Sequence, residues 1–174
     1  MPEEKIVVLM GSPRDLQFAA KIKDFLKKEN FSVSCVYDVA SAHRTPEKLL
    51  NDLKEYEESG DSLVYITVAG LSDALSGVVA GYTRFPVVAC PPDSGKHGGA
   101  KVFSSTAMPR GIPVAYVVKP ENAALVAVRI FAISNPELKE QLDKFKQKMA
   151  KAVYEGAEEV KKITQKKDVN RLAV

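Results

Sequence analysis

Short apolar runs alternate along the chain with longer segments in which apolar residues recur every three or four positions. The first run, residues 6–10, precedes a turn and a helical pattern that ends near Asn30. Four more runs are predicted as strands, over residues 33–39, 63–68, 85–90 and 114–118. This alternation is typical of βαβ units around a mostly parallel sheet. The pattern therefore predicts an α/β fold.

The remaining helical patterns differ in how much of their surface is apolar. Pro46 fits the first position of a helix that runs to about Gly60, and a short helix rich in small residues follows the third strand. Residues 123–131 are apolar on nearly every side, which indicates either a central place in the domain or burial between subunits. We favour burial between subunits, because the sheet already has helices to cover it.

The last helical pattern is long and charged, and runs from Glu137 to about Thr164. We interpret its lysine-rich end as a solvent-exposed face. At 174 residues the chain is expected to form one domain. Its predicted bounds are residues 1–164, with residues 165–174 as a frayed tail.

Charge and composition narrow the class of protein. A net charge of +3, from 25 basic and 22 acidic residues, is far from the basic character of a nucleic-acid-binding protein. No apolar run approaches the roughly 20 residues that span a bilayer, and the charged amino terminus leads directly into a strand, so we expect a cytoplasmic protein. Cys35 and Cys90 lie in apolar surroundings and are expected to be buried, reduced thiols.

The residues that follow the predicted strands are the candidates for chemistry, because ligands of open parallel sheets bind outside the carboxyl ends of the strands. Gly11, Ser12 and Asp15 follow the first strand at the start of a helix. Free backbone N–H groups and the helix dipole favour an anion such as phosphate at that position. Asp15 is equally well explained as a helix cap.

The loop after the second strand carries a more specific combination of side chains. Ser41 supplies a hydroxyl, His43 a group that titrates near neutrality, and Arg44 a guanidinium suited to bidentate phosphate binding. A histidine in this polar loop is well placed for proton transfer. The other histidine, His97, belongs to a glycine-rich segment over residues 93–101, which is predicted to be a mobile surface loop with His97 exposed.

After the third strand, Gly70 and Ser72 allow a ligand to approach the backbone closely, and Asp73 offers either a carboxylate or a cap for the next helix. The dinucleotide-binding fingerprint, the phosphate-binding Walker loop and the spacings typical of metal sites are absent from the sequence. Redox, kinase and metal-hydrolase functions are therefore disfavoured.

Several of these segments, in this order and spacing, resemble the PurE family. They are Met10 to Asp15, the segment Ser41-Ala42-His43-Arg44-Thr45-Pro46, Ala69-Gly70, Pro91-Pro92 and Met108 to Pro113. That family acts in purine synthesis on aminoimidazole ribonucleotide (AIR), and the likeness covers residues 5–145. It implies a three-layer α/β/α sandwich with a flavodoxin-like sheet and a homo-octamer. It also implies no biotin, metal or ATP. Charge and hydropathy add the expectation of no nucleic-acid or membrane partner.

The family has two branches, and residues 69–77 resemble the class II pattern AGRSNALSG. Class I enzymes are N-carboxyaminoimidazole ribonucleotide mutases, which have a histidine in place of Ala74 and a proline in place of Ser76. Class II enzymes are AIR carboxylases that take carbon dioxide directly. The resemblance therefore implies a carboxylase, with the mutase as the alternative within the family.

The resemblance also assigns roles to residues. Ser12, Asp15 and Arg44 resemble the family's contacts to ribose and phosphate, with Ser41 beside them, and His43 resembles its catalytic histidine. Gly11, Gly70 and Ser72 complete the predicted substrate-binding set. Departures from the family pattern occur at Arg14, Leu71, Asp73, Lys101 and Ala107. Arg14, in place of a serine, adds a cation near the expected phosphate.

Two further hypotheses lie outside catalysis on AIR. The departures from the family pattern are compatible with a non-catalytic nucleotide-binding homologue. A flavodoxin-like mononucleotide or signalling module would instead bind a yellow flavin or contain an acidic pocket for phosphorylation.

Overall fold

The computed structural model of the chain describes residues 2–92 and 100–171. The strands are Glu4–Met10 (β1), Ser34–Val39 (β2), Ser62–Val68 (β3), Val87–Ala89 (β4) and Ala115–Tyr116 (β5). The α-helices are Leu16–Lys28 (α1), Pro46–Glu58 (α2), Ala74–Tyr82 (α3), Ala100–Thr106 (α4), Pro120–Phe131 (α5) and Pro136–Arg171 (α6).

The five strands form one sheet in the order β2-β1-β3-β4-β5, and every neighbouring pair is parallel. This is the order of a flavodoxin-like doubly wound sheet. In the central pair, Val7 lies opposite Tyr65 and Met10 opposite Val68, so β1 and β3 end at the same level. Helices cover both faces, which confirms the predicted three-layer α/β/α sandwich.

Alternate residues of the central strands enter two separate cores, because successive side chains of a strand point to opposite faces. Ile6 and Val8 pack on the face covered by α1 and α5, whereas Val7 and Leu9 pack on the face covered by α2 and α3. All four side chains are fully buried. Residues 6–9 of β1 are therefore buried whichever face of the sheet they point to, as is typical of a central parallel strand.

The apolar helix α5 lies inside its own domain. Ala123, Ala127 and Phe131 are buried in the same core as Ile6 and Val8. The helix contacts α1, β1 and β3. This central position explains why α5 is apolar on nearly every side. Burial between subunits, which we favoured from the sequence, is not required to explain its composition.

Three other features differ from the predicted elements. β4 and β5 are shorter than the apolar runs that predict them, and α6 continues beyond Thr164 to Arg171, since lysine and glutamine favour helix. Helix α4 was not predicted, and it takes up the end of the segment that was expected to be a loop. Residues 93–99, including His97, lie outside the described residues. Over the described part of the chain, no helix is long and apolar enough to cross a membrane.

Candidate active site

A cavity of about 690 Å³ opens at the carboxyl ends of β1, β2 and β3. All of the predicted catalytic and substrate-binding residues line it: Gly11, Ser12, Asp15, Ser41, His43, Arg44, Gly70 and Ser72. The three loops meet because parallel strands of equal register end at the same edge of the sheet. The structure thus brings together every residue of the predicted site.

The loop after β1 is tied to the neighbouring strand and then turns into α1. The Gly11 N–H donates to the carbonyl oxygen of Val68 at 2.9 Å. Ser12 caps a short 3₁₀ turn over Pro13–Asp15, with its Oγ accepting from the Arg14 N–H at 3.3 Å. Asp15 occupies the position before α1 but makes no side-chain cap hydrogen bond there. Its carboxylate therefore lines the cavity instead of capping the helix.

The loop after β2 is held by its own hydrogen bonds and is linked to the loop after β1. The Ser41 N–H donates to Thr45 Oγ1 at 2.9 Å, and Ser41 Oγ accepts from the Arg44 N–H at 3.2 Å. Arg44 Nη2 donates to the carbonyl oxygen of Gly11 at 2.9 Å. Because a guanidinium carries further N–H donors, Arg44 can link the two loops and still bind an anion in the cavity.

His43 lies on the same loop, exposed to the cavity. Its ring makes no hydrogen bond to any described residue. A ring nitrogen of His43 is therefore free to accept or donate a proton to a bound molecule.

The loop after β3 presents backbone and apolar surface to the cavity. A Cβ added at Gly70 would lie 3.5 Å from Asp15 Oδ1 and 3.7 Å from Pro92, which are ordinary contacts. Leu71 is 73% exposed at the rim, while Leu75 is buried beneath it. Asp73 is only 3% exposed, and its Oδ1 accepts from the Ser76 N–H at 3.1 Å. Of its two predicted roles, Asp73 thus takes that of the α3 cap.

The positions that depart from the family pattern fall in different places. Arg14 is exposed and lines the cavity, and its guanidinium forms no ion pair with a described residue. Ala107 is exposed and lies outside the cavity. The Lys101 side chain is outside the described residues. Arg14 and Arg44 together give the cavity a positive character that Asp15 only partly offsets.

Neither cysteine can serve as a nucleophile at neutral pH. Both are buried and free of disulfides, as predicted. Burial raises the pKa of Cys35 to about 11 and the pKa of Cys90 to about 12, so both thiols stay protonated. Within residues 2–92 and 100–171, no cluster of histidine, cysteine and carboxylate side chains could hold a metal ion.

A second cavity, of about 790 Å³, lies along β4 and β5. Arg84 is the one charged residue among those that line it, and no histidine, cysteine or carboxylate contributes. Of these two cavities, only the one at the strand ends is lined by described residues with titratable groups suited to proton transfer.

A doubly wound parallel sheet with a cationic, histidine-bearing cavity at its strand ends defines an α/β protein that binds a small anionic molecule. The chain belongs to the AIR carboxylase family, whose model matches residues 5–152.

Relatives and solved structures agree with that assignment. The chain is 43% identical to a phosphoribosylaminoimidazole carboxylase of Archaeoglobus fulgidus, over 90% of this chain and 85% of that protein. It is 41% identical to an N5-carboxyaminoimidazole ribonucleotide mutase of Methanocaldococcus jannaschii, over 91% of this chain and 98% of that protein. The crystal structure of Treponema denticola PurE superposes with a TM-score of 0.83 at 38% identity, over 88% of this chain and 96% of that one. The resemblance stated from the sequence is confirmed, and both enzyme names occur among relatives of similar identity.

Proposed function

We propose that the protein is an enzyme of purine biosynthesis that carboxylates AIR at ring carbon 4, with His43 as the general base. The observation that carries this proposal is the His43 ring, which makes no hydrogen bond to a described residue and lies in the same cavity as Arg44 and Ser12. Names of relatives that are about 40% identical support the substrate and the reaction.

The nucleotide's phosphate is expected at the loop after β1. The turn at Ser12 leads into the amino end of α1, where backbone N–H groups and the helix dipole attract an anion. Arg44 adds a charged donor from the loop after β2, and Arg14 adds a second cation. The carboxylate of Asp15 suits the ribose hydroxyls, which can donate hydrogen bonds to it.

The reaction itself needs one proton transfer. Carbon 4 of the electron-rich imidazole attacks carbon dioxide, which forms the carbon–carbon bond and leaves carbon 4 with both a proton and the new carboxylate. A ring nitrogen of His43 then takes that proton, and the electron pair of the C–H bond restores the aromatic ring. In the reverse direction His43 returns the proton to carbon 4 and carbon dioxide departs.

The walls of the cavity would hold carbon dioxide near carbon 4. Ala69 and Leu75 contribute buried apolar side chains to the lining of the cavity. When the cavity holds both reactants in contact, they no longer have to meet by diffusion. This lowers the activation free energy of carbon–carbon bond formation. The PurE resemblance implies no biotin, metal or ATP for the step.

The source of the carboxyl group separates this proposal from its alternative. A mutase would instead take the carboxyl group from N-carboxy-AIR, and a relative that is 41% identical bears that name. In a mutase the carboxyl group would leave the nitrogen of N-carboxy-AIR and be added to ring carbon 4. His43 would again be the group that transfers the proton. The resemblance of residues 69–77 to the class II pattern favours carbon dioxide.

Steady-state turnover in two separate assays tests the proposal. One assay supplies AIR with bicarbonate as the source of carbon dioxide, and the other supplies N-carboxy-AIR under conditions that limit its decay. We expect turnover in the first assay. Turnover in the second assay alone would make the protein a mutase, and silence in both would favour a nucleotide-binding homologue without catalysis.

We also infer a cytoplasmic homo-octamer, as the PurE resemblance implies. In that family the segment equivalent to Met108-Pro109 approaches the active site of a neighbouring subunit. In this protomer the Met108 side chain packs against α3, and its sulfur would lie 3.3 Å from a Cβ added at Gly77. Light scattering on the purified protein measures the mass of the assembly, and a monomeric mass would contradict the inference.

A further inference from the structure

A chain of buried polar side chains lies directly beneath the cavity. Asp73 Oδ2 accepts from Ser76 Oγ at 2.5 Å and from Ser105 Oγ at 2.6 Å, and Ser76 Oγ lies 2.6 Å from Thr67 Oγ1. All four residues are at least 97% buried. We call these four residues, Thr67, Asp73, Ser76 and Ser105, the Asp73 cluster.

The direction of the hydrogen bonds in the Asp73 cluster follows from the number of protons available. Each hydroxyl has one proton to donate, and Ser76 donates its proton to the Asp73 carboxylate. Thr67 is therefore the donor in its 2.6 Å contact with Ser76, and this short contact takes its single proton in preference to the Val88 carbonyl oxygen at 3.4 Å. With the Ser76 N–H and Ser105 as further donors, the carboxylate receives three hydrogen bonds, which offset the cost of burying its charge.

The Asp73 cluster joins three parts of the molecule. Thr67 belongs to β3, Ser76 to α3 and Ser105 to α4. A second link runs from the Asp73 N–H to Ser104 Oγ at 3.2 Å. Since Asp73 directly follows Gly70, Leu71 and Ser72, the carboxylate fixes the end of the loop that forms one side of the cavity.

We propose that Asp73 is a positioning residue for the ribonucleotide: through Ser76 and Ser105 it holds the backbone of residues 70–72 in the orientation that receives the substrate. Asp73 does not itself reach the cavity, and it acts only through this loop. The inference rests on the proposed function, because it takes AIR as the molecule in the cavity.

Substitutions of Asp73 separate positioning from simple support of the fold. In Asp73→Asn the amide oxygen can still accept from the Ser76 N–H, and the amide N–H groups can donate to hydroxyls that rotate to accept. In Asp73→Ala three donors lose their acceptor and the loop loses its cap. We expect Asp73→Ala to raise KM and Kd for AIR about tenfold, with kcat changed less than about threefold, because the loop binds substrate and does not carry the base.

Thr67→Val is the matched control, since it breaks the same cluster on the sheet side and keeps the side-chain shape. It should lower Tm without raising KM or Kd. Ser105→Ala removes one of the three donors and should raise KM about threefold, an intermediate effect. Asp73→Asn should bring KM back to within about twofold of the parent protein.

The experiment measures Tm, kcat, KM and the Kd for AIR, by calorimetry, for the parent protein and the four variants. The proposal is overturned if Thr67→Val raises KM as much as Asp73→Ala, or if Asp73→Ala and Ser105→Ala leave both KM and Kd unchanged. If Asp73→Ala does not fold, the other variants test the proposal. A rise in KM of about threefold for Ser105→Ala, with KM for Asp73→Asn within about twofold of the parent value, supports it, and an unchanged KM and Kd in Ser105→Ala overturns it. A parent protein that binds AIR without turnover contradicts only the proposed function, and the Kd values then decide the role of Asp73.

Discussion

The two sides of the cavity are built in opposite ways. The first side consists of the loops at residues 11–15 and 41–45, and it presents charged and titratable groups to the cavity. The second side is the loop at residues 69–73, which presents backbone and the exposed Leu71 and turns its carboxylate, Asp73, into the interior. All three loops follow strands of the same parallel sheet, so the difference lies in the side chains and not in the fold.

The first side thus supplies the groups that bind and react, and the second side supplies a loop of fixed shape. Arg14, His43 and Arg44 on the first side are exposed, so they cost little folding free energy and are accessible to a bound molecule. The Asp73 cluster on the second side is buried, and removing one partner leaves the others unsatisfied. We therefore expect changes on the first side to affect binding and turnover with little loss of stability. Changes to Asp73 or Ser105 beneath the second side should affect both binding and stability.

Arg44→Ala should have the largest effect of the substitutions on binding. It removes a charge-assisted contact to phosphate, worth about 1.5–3 kcal/mol, and also the hydrogen bond from Nη2 to the Gly11 carbonyl oxygen. We expect kcat/KM to fall by about 10- to 100-fold, with Tm nearly unchanged because Arg44 is exposed. Arg129→Ala, which removes an exposed arginine that does not line the cavity, is the control for net charge. A fall of similar size in that control would show that Arg44 acts only through overall charge.

Arg14→Ser should have a smaller effect. Arg14 lines the cavity but is exposed and forms no ion pair with a described residue, so its attraction to phosphate is screened by solvent. We expect KM to rise about threefold at low ionic strength and less at 0.15 M salt, where screening is stronger. An effect on KM that does not vary with salt would contradict a purely electrostatic role.

Leu71→Ala should have the smallest effect. The side chain is 73% exposed at the rim, and shortening it leaves no cavity behind. We expect stability to change by less than about 0.5 kcal/mol and KM to stay within about twofold. A large rise in KM would mean that the second side binds substrate through this side chain as well as through its backbone.

Much of the fold follows from the sequence because the central strands are buried on both faces. Such strands are continuous apolar runs, so β1 and β3 lie within two residues of their predicted bounds. Helix α4 has only seven residues, which is too short to display a clear helical period. The sequence did not reveal that α5 packs against α1 inside the domain. The apolar pattern of residues 123–131 shows that the helix is buried but not which elements cover it.

The candidate site was predictable for a different reason. The rule that ligands bind at the carboxyl ends of parallel strands selects the three loops, and His43 and Arg44 stand out by their chemistry. The role of Asp73 was not predictable, because a carboxylate after a strand can face the cavity or cap a helix. Its burial depends on contact with Ser105 of α4, a helix that the sequence does not reveal.

The central claim is that His43 is the base that accepts the proton from carbon 4 of AIR. Measuring kcat and the Kd for AIR in His43→Asn tests it most directly, because asparagine keeps a polar side chain of similar reach but cannot take up that proton. The account predicts a fall in kcat of at least about 100-fold with Kd within about threefold of the parent protein. A kcat within about tenfold of the parent value, or a loss of binding as large as the loss of turnover, would contradict it.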